Sequence, residues 1–65
     1  MRTRNVSPPI TLERAVFIWR RRDEGAPQHV IAAELGVNQG RVSEVLSGLR
    51  FPEARLIAAP RHLPQ

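Results

Sequence analysis

Apolar residues along the chain fall into four short sets, each closed by glycine or proline. Leu12, Ala15, Val16 and Trp19 recur at spacings of three and four behind Thr11. That pattern predicts a helix capped by Thr11, running to about Asp23 or Glu24 and stopped by Gly25. Ala26 and Pro27 open a second, shorter helix, proline being tolerated at a first helical position, and Gly36 ends it after Leu35. Asn38 caps a third helix from Gln39 to about Leu46 or Ser47. The stretch "GLRF" followed by Pro52 breaks the chain again, and "PEARLIAA" is long enough for a fourth short helix that Pro60 must terminate. Upstream, the prolines of "SPPIT" bias their predecessors away from helix. Residues 1–10 therefore read as a flexible basic arm, residues 11–59 as the folded domain and residues 60–65 as a frayed tail. The fold class is all-α, a small bundle of three to four helices.

The connection between the second and third helices is the most informative part. Only Gly36, Val37 and the capping Asn38 separate them, which is too short for a flexible link and suits a tight turn that crosses two helices steeply. In a helix-turn-helix of this kind Ala32 is the small residue at the crossing, Gly36 takes the positive φ of the turn, and Val37 plugs the corner. Ile31, Leu35, Val42 and Val45 supply the apolar faces. On a helical wheel Val42, Val45, Leu46 and Leu49 share a narrow arc, which leaves Gln39, Gly40, Ser43, Glu44 and Ser47 on the opposite side.

Composition narrows the partners. Sixty-five residues with 42% hydrophobic content make one small domain, below the size at which a single core comfortably stabilises a chain alone. With no cysteine, neither disulfides nor thiolate-bound metal can assist, so helix packing or oligomerisation must. All ten basic residues are arginine against six acids, a formal charge of +4. Missing lysine is first of all a compositional bias, but the surplus charge attracts nucleic acid whatever its origin. "MRTRNVSPPI" has no apolar stretch behind its basic residues, and no apolar run approaches the roughly 18 residues of a membrane span. A soluble, cytoplasmic chain of bacterial or phage type, with no membrane partner, is the expectation.

At residues 26–52 the sequence resembles the helix-turn-helix of the phage lambda repressor and Cro class, and is similar also to the DNA-binding tails of resolvases. The residues that carry the resemblance are Gln28, Ala32, Gly36 and the segment "VNQGRVSEVLSG". It implies that Gln28 contacts phosphate and braces the recognition helix, and that base reading falls to Gln39, Gly40, Ser43, Glu44 and Ser47. Asn38, Arg41, Arg50 and Arg22 are the further candidates for phosphate contact.

Other features have plainer readings. Cations in "RRR" at 20–22 suit the carboxyl end of a helix, where they offset the macrodipole, as well as a phosphate clamp. "MRTR" is either a disordered terminus or an arm able to enter the minor groove. His29 and His62 lack metal-ligand spacing, and Trp19 reads as core. Glu44 either pairs with Arg41 or solvent, or accepts a hydrogen bond from cytosine N4. No nucleophile, triad or phosphate-cradling loop suggests catalysis, and no cofactor, metal or small-molecule ligand is expected. Two functions fit: a sequence-specific double-stranded DNA-binding transcriptional regulator, such as a repressor, or a small helical adaptor that holds a polymerase or another transcription factor. For the regulator, Phe17 and Ile18, off the arc of Leu12, Val16 and Trp19, together with Leu56 and Ile57, predict a homodimer on an inverted-repeat operator.

Overall fold

The computed structural model describes residues 9–59, which form four helices: α1 (Leu12–Asp23), α2 (Gln28–Leu35), α3 (Gln39–Leu46) and α4 (Ala54–Ala58). The arm's "MRTR" and the tail with His62 lie outside the described residues. Helix α1 packs most extensively against α4, α2 packs against α3, and α1 touches all three others. The result is a small all-α bundle built around α1.

Local chemistry sets the helix ends. Thr11 Oγ1 accepts from the Arg14 amide at 3.2 Å, and Asn38 Oδ1 accepts from the Gly40 amide at 2.8 Å, each satisfying a donor that has no intrahelical partner. Gly36 ends α2 at φ 70°, a left-handed conformation that glycine adopts without a Cβ penalty. There the Val37 amide donates to Ala32 O at 3.0 Å and the Gly36 amide to Ala33 O at 3.2 Å, the paired bonds of a Schellman cap. Ala32 and Val37, the two residues that such a cap brings together, are both buried.

The second helix begins one residue later than the sequence pattern suggests. The Ala26 amide donates to Arg21 O at 3.1 Å, so Ala26 closes α1, while Pro27, extended at ψ 158°, is the N-cap of α2. The fourth helix is likewise shorter than "PEARLIAA". Its N-cap is Glu53, and only Ala54–Ala58 are helical. Ala54 and Ala58 are the buried residues of α4, small enough to let so short a helix lie close against α1.

The core is made of Ala15, Ile18, Ala26, Ile31, Ala32, Val37, Val42, Val45 and Ala54, with Ile10, Val16, Trp19, Leu35, Leu46 and Phe51 packed at its edges. Two expectations are corrected here. Ile18 is 0% exposed, so it is a centre of the core and not a surface for pairing. Because α1 touches three helices, its buried stripe is centred on Ala15 and Ile18, while Leu12 is exposed and Val16 and Trp19 are half-buried. Leu49, assigned by the wheel to the arc of Val42 and Val45, is 76% exposed. Gly48 at φ 89° turns the chain out of the helix before Leu49, so the wheel no longer applies to it.

One ion-pair cluster ties α1 to α2. Arg21 donates side-on to both oxygens of Glu34, Nε to Oε1 and Nη2 to Oε2 at 2.8 Å each, and its Nη1 reaches Glu24 Oε1 at 2.7 Å. These bonds hold the Glu34 carboxyl below its ordinary value of 4.5 and raise the Arg21 guanidinium further. A carboxyl with a depressed pKa stabilises the fold above its unfolded value and loses that contribution as pH falls through the folded one. The melting-temperature gap between wild type and Glu34→Gln should therefore be largest near neutrality and close as pH drops below about 4.5. A constant gap across that range would show that the bonds add nothing to stability. Both partners are solvent-accessible, so the effect is modest.

Candidate nucleic-acid interface

Helix α3 has eight residues and spans about 12 Å at 1.5 Å per residue. Val42 and Val45 are fully buried and fix its rotation against α1 and α2. That rotation turns Gln39, Gly40, Arg41, Ser43 and Ser47 to solvent and leaves Glu44 half-exposed. All five candidate base-reading positions thus lie on or beside one accessible face of a helix anchored by its other face. Gln28, in the first turn of α2, is half-buried, and Arg22 is exposed at the end of α1.

Several of these residues also have structural work. Asn38 uses its Oδ1 to cap α3. A Cβ added at Gly40 would lie 3.3 Å from that oxygen, so the missing side chain at position 40 leaves room for the cap. Ser47 Oγ donates to Glu44 O at 3.0 Å, which occupies its proton and leaves its lone pairs for a further donor. Glu44 pairs with Arg50, whose Nε donates to Glu44 Oε1 at 2.7 Å, and not with Arg41. Arg41 is exposed and makes no ion pair among the described residues. Sequence spacing could not reveal the Arg50 pair, since six positions separate the two residues and the chain leaves the helix between them.

The charge is unevenly placed. Arg2, Arg4 and Arg61 lie outside residues 9–59, whereas all six acids lie within them, so the helical domain carries a surplus of only one positive charge. Of its arginines, Arg21 and Arg50 are paired with carboxylates, and Arg14 Nη1 donates to Pro9 O at 3.1 Å. Most of the net charge therefore sits on the chain segments that flank the domain.

On the side of α4 a cleft of about 300 Å³ is lined by Trp19, Asp23, Arg55, Leu56, Ala58 and Ala59. Arg55 lies 5.9 Å from the centroid of the Trp19 ring, within cation–π range, and the Trp19 Nε1 is buried with no hydrogen-bond acceptor among the described residues. Trp19 is thus a half-buried residue at the edge of the core that also walls this cleft. Among the described residues no cluster of His, Asp and Glu is placed to hold a metal, and no helix is long and apolar enough to cross a membrane. Comparison with known proteins finds no matching family model and no significant match among curated proteins or solved structures.

Proposed function

We propose that this chain is a sequence-specific, double-stranded DNA-binding regulator of transcription that lays α3 in the major groove. The supporting observation is the rotation of α3: Val42 and Val45 are locked in the core while Gln39, Ser43 and Ser47 face outward behind a tight, glycine-turned connection to α2. Gln, Ser and Glu offer the donors and acceptors that base edges require. The likeness of residues 26–52 to the lambda repressor and Cro class supports the same reading. Gln39, Ser43 and Glu44 then discriminate bases, with Ser47 at the end of the row, while Gln28, Asn38, Arg41 and Arg22 position the phosphate backbone.

Two copies acting together complete the proposal. One eight-residue helix contacts too few base pairs to single out a site in a genome, whereas two helices about 34 Å apart read adjacent major grooves. Apolar surface for pairing remains at Phe17, 36% exposed, and on α4 at Leu56, 76%, and Ile57, 49%. The selected operator is then an inverted repeat bound by two chains.

Titration of duplex DNA against salt tests the whole reading. Log affinity should fall linearly with log salt, by about 0.9 per neutralised phosphate. Gln39→Ala should flatten the preference at one or two base pairs, a loss of about 1 to 3 kcal/mol of discrimination, while Arg41→Ala should weaken all sequences alike and reduce the slope by about one phosphate. Salt-insensitive binding would overturn the reading and favour the adaptor, whereas equal loss of specificity from both variants would overturn the division of roles between Gln39 and Arg41. A one-to-one complex on an asymmetric site in sedimentation would remove the dimer alone.

A further inference from the structure

We propose that Arg50 is a positioning residue for base readout, fixing and neutralising the Glu44 carboxylate so that Glu44 can select cytosine. The inference rests on the proposed function and assigns a specificity role to an arginine that its sequence position marks only as a phosphate contact. A lone acid on a helix that faces DNA is repelled by the phosphates unless a cation accompanies it. Here the cation is built in.

The backbone beyond α3 is shaped to supply it. The Gly48 amide donates to Val45 O at 3.1 Å and the Leu49 amide to Glu44 O at 3.0 Å, closing the helix with the chain folded back over its last turn. The Arg50 amide also points to Glu44 O, at 3.4 Å. Phe51 holds φ 49°, a left-handed conformation costly for a bulky residue, and is half-buried against the core, which retains the loop in place. Residues 48–51 thus form a hook that returns the Arg50 guanidinium to Glu44, Nε to Oε1 at 2.7 Å.

The bond uses one oxygen of the carboxylate. Oε2 has no hydrogen bond among the described residues and is left to accept one more donor. In the major groove the exocyclic amines of cytosine and adenine are donors, but adenine places its N7 acceptor beside the amine, where it repels a carboxylate. Cytosine has no such acceptor on that edge. A carboxylate held by one oxygen, with its charge offset, therefore discriminates cytosine from adenine as well as from guanine and thymine. Freed from Arg50, the same side chain would regain its rotamers and its repulsion from the phosphates.

Selection from random duplexes with the full chain tests this, using wild type, Glu44→Ala, Arg50→Ala, Arg50→Lys and the double alanine variant. Wild type should select cytosine at one position of each half-site, and Glu44→Ala should flatten that position by roughly five- to a hundredfold. Arg50→Ala should flatten the same position, the double variant should lose no more, and Arg50→Lys, which restores charge without the Nε geometry, should recover part of the preference. Melting curves establish that each variant is folded, and Arg50→Lys carries the test if Arg50→Ala is not. Arg50 variants that weaken every sequence equally while keeping the cytosine preference would overturn the inference and return Arg50 to a phosphate contact. A wild type that binds duplexes without selecting any sequence, or binds none, overturns the proposed function itself, an outcome distinct from intact selectivity with an indifferent Arg50.

Discussion

Ile18→Ala should destabilise the domain by about 2 to 5 kcal/mol, the range for truncating a buried aliphatic side chain to alanine. Ile18 is fully buried in the core and lies on the one helix that touches all the others, so the cavity opens inside the packed centre of the domain. A folded unit of this size is stable by only roughly 3 to 8 kcal/mol, at about 0.05 to 0.15 kcal/mol per residue. The variant should therefore melt at or near room temperature. Its neighbour is the control: Phe17 is exposed, and Phe17→Arg should leave the melting temperature of the isolated chain within a few degrees and, if copies pair as proposed, weaken their association. Thermal melts followed by far-ultraviolet circular dichroism compare the two. If Phe17→Arg proved the more damaging to the monomer, α1 would be rotated from the orientation described, and Phe17 would drop out of the proposed pairing surface.

Ala32→Leu should cost about 1 to 3 kcal/mol by overpacking the place where α2 meets α3. Ala32 is buried, and its carbonyl accepts the Val37 amide that closes the turn, so the larger leucine side chain should displace the cap or the helix beyond it. Ala33 is exposed one residue on, and Ala33→Leu should change stability by no more than about 0.5 kcal/mol. Equal melting temperatures for the two variants would mean that residue 32 is not at the crossing. On the proposed function, a displaced α3 would also lower selectivity for DNA. The two helices share one apolar interface, so damage on one side shifts the residues exposed on the other.

Much of the fold was readable because its punctuation is local. Thr11, Gly25, Gly36, Asn38 and Gly48 act through hydrogen bonds or φ values of their own immediate neighbourhood, and a sequence displays them directly. Helix α3 begins and ends at the residues the pattern indicates, and α2 is displaced by one residue only because Ala26 spends its amide on the end of α1. Which face is buried was less secure. The wheel of α1 has apolar residues most of the way round, and only the presence of three neighbours decides that Ile18 is enclosed while Leu12 and Phe17 meet water.

The sequence by itself determined the helical class, the tight α2–α3 turn and the row of polar residues along α3, because caps, left-handed glycines and a 3.6-residue period depend on neighbours within one or two turns. Tertiary structure alone decided the partner of each charge and the burial of each ambiguous apolar residue. Arg21 reaches Glu34 across two helices and Arg50 returns to Glu44 through a hook of backbone, distances in space that no fixed spacing in the chain encodes. Ile18 and Leu49 exchanged their expected places for the same reason: burial is a property of what packs around a residue, and a helical wheel knows nothing of the neighbours or of where the helix stops.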